Sequence, residues 1–289
     1  MKILRLSRPL HALFLTLTCW LGTGISRYLG HPLSLTRFVL GWLCLLAIQT
    51  AFFWALEYFR LPLTPLAAEE TPRQRLHFRT LLLQSTYAGL TLAGACALAL
   101  VLTHSLSLPA GTLLVLALLV LFAYGVPPFR LAENGYGELA LAVIWGTVAP
   151  AFTFLLQTDS FHRLLPIVTF PLTLLALAYL LAADFSTFAM DTRLGRRSLL
   201  TRLSWQRAIP VHQLLVLFAF LLLAAAPFFG VPWGLVWPVF LALPAAALEI
   251  YWLQRLGAGG SPLWKFMNVL VPSVFGLAAY LIGMAFWLR

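Results

Sequence analysis

Apolar stretches of about 20 residues recur along the whole chain, each bounded by a short cluster of charged, proline or glycine positions. An α-helix of that length crosses a bilayer core of roughly 30 Å, and within hydrocarbon it satisfies its own backbone amides. The pattern predicts nine spans: 9–28, 35–59, 79–102, 109–124, 138–157, 164–184, 211–229, 232–253 and 263–288. The expected fold class is all-α, a polytopic helical bundle in the membrane, with residues 1–289 as one domain. The first run, behind Lys2, Arg5 and Arg8, has the look of a secretory leader. No small-residue cleavage site follows it, so it counts as the first span.

Composition agrees, with 61% hydrophobic and 10% charged residues. A net charge of +10 raises the question of nucleic acid, but the basic residues sit in short loops between spans, where positive-inside topology accounts for them. With the N-terminus in the cytoplasm, fifteen of the nineteen Lys and Arg fall inside, leaving Arg27, Arg37, Arg163 and Arg289 outside. Acidic residues do not set topology, yet all except Asp159 fall on the same side, Glu69, Glu70 and Glu249 among them. The longest loops, a polar segment 61–78 after the second span and another after the sixth, carry most of that charge, which reads as a polar active-site face. Cys19, Cys44 and Cys96 lie in apolar stretches without metal-ligand spacing and read as packing residues.

The stretch after the sixth span carries the candidate chemistry. Asp184 and Asp191 are seven apart, so a helix continuing past the membrane surface would present both on one face, and Gly195-Arg196-Arg197-Ser198-Leu199 follows. Two carboxylates can share a divalent cation that bridges to phosphate, and arginines neutralise phosphate oxygens directly. The plain alternative is a set of solvated loop charges. Glu57 and Arg60 share a helix face, as an intrahelical ion pair or as part of the same site. His77 and His212 read as interface residues, and Trp145 as tunnel lining or ordinary packing. No GxSxG elbow, Walker A loop, HExxH helix or Rossmann fingerprint is present.

Several stretches together resemble the UbiA superfamily of intramembrane prenyltransferases, especially the branch that prenylates 1,4-dihydroxy-2-naphthoate in menaquinone synthesis. They are Arg8-Pro9, the run from Tyr124 through Arg130, Gly135-Tyr136-Gly137-Glu138-Leu139, Gln157, and Asp191-x-x-x-Gly195-Arg196-Arg197-Ser198-Leu199. The resemblance implies that two Asp-rich motifs hold Mg²⁺ against a prenyl diphosphate. Here the first motif reads Leu56-Glu57-Tyr58-Phe59-Arg60, with a cation where a ligand is usual, and the second has Thr187 at its earlier aspartate position. Such losses weaken a magnesium site, although the Arg60 guanidinium could serve as a fixed positive charge in its place.

The implied activity is transfer of an isoprenyl group to an aromatic acceptor of quinone-precursor type. Asp191, Asp184 and Glu57 would be catalytic, Asp191 and Asp184 would hold any Mg²⁺, and Arg60, Arg130, Arg196 and Arg197 would bind substrate. The partners would be a prenyl diphosphate, a small aromatic acceptor and the lipid bilayer, with no nucleic acid. The location would be a bacterial or archaeal cell membrane with the active-site loops in the cytoplasm. Two alternatives stand beside this one: a non-catalytic paralogue that binds an isoprenoid or quinone lipid, and a transporter.

Overall fold

The structure, a computed structural model, describes residues 6–60, 71–193 and 195–289. Lys2, Arg5, Glu69, Glu70 and most of the expected 61–78 loop lie outside them. Among the described residues the chain is helical with no strand, apart from one isolated bridge between Asn134 and Arg197. The long helices are α1 (Pro9–Tyr28), α2 (Leu35–Arg60), α3 (Pro72–Leu102), α4 (Leu108–Gly125), α5 (Gly137–Thr158) and α6 (Leu164–Ala183). Two short helices follow, α7 (Phe188–Arg193) and α8 (Leu199–Leu203), and then α9 (Trp205–Ala225), α10 (Trp233–Gly257) and α11 (Trp264–Leu288).

Eight of these, α2 to α6 and α9 to α11, are long and apolar enough to cross a membrane. The ninth expected span, α1, is a 20-residue helix made less apolar by His11, by its threonines and by Gly22 and Gly24. Those small residues serve packing. A Cβ on Gly22 would strike the Pro150 carbonyl of α5, and one on Gly24 would meet the Trp287 indole of α11 at 2.7 Å.

Two boundaries depart from expectation. Helix α3 begins at Pro72, seven residues before the predicted span, because Thr71 and Gln74 form a reciprocal capping box and the proline sits at the first helical position. Its first two turns carry Arg73, Arg75 and His77, which hide a helix from a search for apolar runs. Helix α9 likewise starts at Trp205, six residues early. Beyond α6 no continuous helix carries Asp184 to Asp191: the backbone tightens into a 3₁₀ turn at Asp184–Ser186 before α7 begins.

Helices α5 and α6 are the inner pair, with 83% and 72% of their apolar windows buried against 28% for α3. The last helix closes on the first, where the Trp287 indole donates to the Trp20 carbonyl at 3.0 Å. At one end of the bundle the Gln157 side chain spans both the N–H and the C=O of Ser34, at 2.9 and 3.2 Å, and seals the α1–α2 turn against the end of α5. The opposite end is open and polar.

Candidate functional site

At that open end lies a cavity of about 380 Å³. Its walls come from the start of α1, the ends of α2, α4 and α6, the start of α5, and the α7–α8 segment. Arg60 and Asp191, more than 100 positions apart in the sequence, both line it, as do Asp184 and Arg196. The end of α2 and the segment after α6 therefore meet at one site, together with the start of α1.

Arg60 is the last residue of α2, and its position there is held by two carboxylates. Its Nη1 donates to Glu57 Oε1 at 2.8 Å, one turn back on the same helix, and its Nε donates to Glu133 Oε1 at 3.1 Å. Glu57 is buried, and Arg8 approaches it to 3.9 Å, so Glu57 supports two arginines from behind and is not among the lining residues. Arg130 pairs with Glu133 at 2.5 Å and also stands back from the cavity. Arg197 contributes its backbone instead, donating its N–H to the Glu133 carbonyl at 3.3 Å. Of the four arginines expected to bind substrate, Arg60 and Arg196 thus reach the cavity, while Arg130 and Arg197 brace the ring around it.

On the other wall, α7 ends in a turn through Gly195 with φ of +65°, a conformation in which glycine carries no Cβ penalty. The turn brings Arg196 back so that its N–H donates to the Asp191 carbonyl at 2.9 Å and its Nη1 to Asp191 Oδ1 at 3.4 Å. Asp184 sits on the 3₁₀ turn and contacts Glu138, in the first turn of α5, with Asp191 acting on it from further away. One Glu138 oxygen accepts from the Leu199 N–H at 3.0 Å, tying α5 to α8. The second, Oε2, is buried without a donor, as is Asp184 Oδ2.

Buried carboxylate oxygens facing each other without donors are costly unless a proton or a cation lies between them. Mg²⁺ is commonly held by one or two carboxylates together with waters and substrate phosphates. Asp184 with Glu138 fits that description for a single ion. Among the described residues no three His, Cys, Asp or Glu side chains converge to hold a metal by themselves. At the first motif the carboxylates of Glu57 and Glu133 are engaged by arginines, so that position does not fit a second ion.

Four ionisable lining residues were not among the expected site residues: Arg8, His11, Tyr124 and Glu138. Arg8 donates to the Tyr124 hydroxyl at 3.0 Å and lies 5.0 Å from the centre of the Phe53 ring. His11 is one turn deeper, edge-on to Trp145 with ring centres 4.7 Å apart, and its Nδ1 is buried without a partner. Arg8 is the N-cap of α1 and His11 lies in its first turn, and that spacing of three was the available signal. Trp145 is fully buried beneath them, its indole donating to Gln49 at 2.7 Å, and it acts as packed floor rather than tunnel wall. Away from the site, His212 and Glu249 form a buried pair 3.0 Å apart between α9 and α10, so neither belongs to the polar face.

The chain matches no family model and no curated protein. Its fold, however, is shared with solved structures over essentially full length. A UbiA homolog from Archaeoglobus fulgidus bound to GPP and Mg²⁺ superposes with a TM-score of 0.66 at 16% identity, covering 100% of both chains. An apo UbiA homolog from Aeropyrum pernix K1 gives 0.61 at 18% identity, covering 95% of this chain and 96% of the other. Digeranylgeranylglyceryl phosphate synthase gives 0.58 at 15% identity over 97% and 99%.

Proposed function

We propose that this chain is a UbiA-type membrane prenyltransferase that moves an isoprenyl group from its diphosphate to an aromatic acceptor. The observation that carries this reading is the single cavity in which Arg8, Arg60 and Arg196 face Asp184, Glu138 and Asp191, on a fold shared with a homolog bound to GPP and Mg²⁺. The three guanidiniums bind and orient the diphosphate, each as a planar fork that matches phosphate oxygens. Leu141 and Leu180 supply apolar wall for the start of the tail. As the allylic C–O bond breaks, the diphosphate leaves with the electron pair, and the arginines stabilise the charge that develops on it. An aromatic ring carbon of the acceptor then attacks the allylic carbon and passes its ring proton to the released diphosphate.

Asp184 and Glu138 would hold one Mg²⁺, which, when bound, supplies further positive charge against the phosphates. Glu57 and Glu133 set the Arg60 guanidinium in place without touching substrate. The loss of a carboxylate at position 60 is in this reading a replacement of metal charge by protein charge, and the enzyme works with fewer ions. By the positive-inside pattern the cavity faces the cytoplasm of a bacterial or archaeal cell membrane.

The test is turnover by purified protein in lipid nanodiscs given labelled prenyl diphosphates of several lengths, a panel of aromatic acceptors including 1,4-dihydroxy-2-naphthoate, and Mg²⁺. A prenylated product is expected, with Asp184→Asn reducing its rate on the order of 100-fold. The absence of product across the panel would overturn the assignment. A second reading has its own motivation, since the engagement of Arg60 by two carboxylates leaves it less positive charge to offer a diphosphate. It is a non-catalytic protein that retains an isoprenoid or quinone lipid, and it predicts copurifying lipid with no turnover.

A further inference from the structure

A second, larger cavity lies outside the site. It is a groove of about 850 Å³ floored by α2 and walled by α3 and α4. Both walls pack on α2. On α3 the lining residues Leu83, Thr86, Leu90, Ala93, Gly94 and Ala97 recur every three to four positions, so one face of the helix is turned into the groove. Leu114, Leu118 and Phe122 do the same on α4. From position 79 to 97 that face is about 27 Å long, which is close to the roughly 30 Å thickness of a hydrocarbon core.

The same face of α3 begins with a charge. Arg79 stands one turn above Leu83 on the groove side, its guanidinium carbon 4.5 Å from the centre of the Tyr58 ring, and Tyr58 itself lines the groove. Arg79 Nε is buried and has no acceptor. A cation held over an aromatic ring, with an unused N–H, at the polar end of a long apolar groove is the complement of one kind of molecule. That molecule has a phosphate head and a long hydrocarbon tail.

We infer that the α2–α3–α4 groove is a binding site for an anionic membrane phospholipid, its phosphate on Arg79 and one acyl chain along the groove. A prenyl diphosphate is the poorer fit. Its head carries more charge than one guanidinium balances, and the cavity that suits it lies on the other side of Phe53 and Tyr124, whose rings pack at 5.7 Å. A phospholipid also reaches the groove sideways from the bilayer. The inference does not depend on the prenyl-transfer reading, because none of Arg79, Gly94 or the groove residues named above belongs to the polar cavity.

Gly94 provides a clean test. A Cβ there would meet nothing within 4 Å, whereas one on Gly89, five positions earlier, would touch Ala51 at 3.0 Å. Gly94 lines the groove with room for a Cβ, so Gly94→Phe directs its ring into the space a lipid chain would take. The full chain, purified in a non-ionic detergent, is titrated with phosphatidylglycerol and with phosphatidylcholine of the same acyl chains, and bound lipid is counted by native mass spectrometry. Wild type is expected to retain phosphatidylglycerol about tenfold better. Arg79→Gln should bring the two lipids to parity, and Gly94→Phe should remove one bound lipid of either kind. Inorganic phosphate in excess should displace neither. Both variants should keep the wild-type thermal unfolding midpoint, which separates loss of the site from loss of the fold. Equal retention of the two lipids by wild type, an unchanged preference in Arg79→Gln, or an unchanged lipid count in Gly94→Phe would each overturn the inference. Displacement of the bound lipid by geranyl diphosphate would do the same, since the groove would then belong to substrate.

Discussion

Arg60 ends α2 between two carboxylates, Glu57 on its own helix and Glu133 beyond α4. Its spacing from Glu57 predicted a shared helix face, and the ion pair forms at 2.8 Å. Its second carboxylate, Glu133, comes from 73 positions away, and no local pattern announces such a contact. Removing the guanidinium has two separable consequences. Arg60→Ala should weaken binding of a prenyl diphosphate about 10- to 100-fold, the loss of one charge-assisted hydrogen-bonding group. It should also destabilise the fold, because buried Glu57 loses its closest cation. The double variant Arg60→Ala/Glu57→Gln should recover the unfolding midpoint without recovering affinity. Recovery of both would mean that Arg60 is purely structural. Glu138 is the complementary case. Its role was not legible because it depends on Asp184, which arrives from another helix with an oxygen lacking a donor. If these two hold one Mg²⁺ jointly with substrate phosphate, then Mg²⁺ and prenyl diphosphate each raise the affinity of the other by the same factor. Calorimetry should find little Mg²⁺ binding to the protein alone. Chelation should weaken diphosphate binding without abolishing it, since the arginines remain. Complete loss on chelation would argue that the arginines contribute little.

At the scale of elements, hydrophobic length located the spans well and their polar extensions poorly. Helix α3 gains two turns and α9 nearly two, in both cases where arginines and a cap or tryptophan continue a helix beyond the apolar run. Periodicity also could not reveal that α5 contains a π-helical turn at Ile144–Val148. There Gly146 lies so close to Thr173 of α6 that a Cβ would overlap its backbone, and the hydroxyls of Thr147 and Thr173 bond at 2.7 Å. Gly146→Val should therefore separate the two inner helices and cost about 1–3 kcal/mol, measured as a lower unfolding midpoint in detergent. Between α9 and α10 the His212–Glu249 pair is a polar tie within the apolar bundle. Glu249→Ala, which leaves His212 buried and alone, should cost about 1–2 kcal/mol. The double variant His212→Leu/Glu249→Leu should recover most of that cost, as apolar replacement of a buried pair commonly does. Turnover per folded molecule should be unchanged in both, because neither residue lines the cavity.

Over the whole molecule, the two ends of the bundle differ in kind, and the difference makes sidedness testable. One end is sealed by side chain to backbone bonds such as Gln157 with Ser34 and Arg37 with the Leu156 carbonyl. The other gathers Arg8, Arg60, Glu138, Asp184 and Asp191 around a cavity. Charge asymmetry in the sequence points to the cavity end as cytoplasmic, and a soluble diphosphate made in the cytoplasm would need that orientation to enter. The three native cysteines are buried, so after their replacement by serine or alanine a single introduced thiol reports its own side. Thr192, exposed on α7 beside the cavity, and Ser160, exposed in the turn at the sealed end, are suitable positions. In intact cells a membrane-impermeant maleimide should label Ser160→Cys and leave Thr192→Cys unmodified until the membrane is opened. The reverse pattern would place the cavity outside the cell. The arginine bias would then no longer set the topology, and an acceptor and a diphosphate delivered from the outer face would be required.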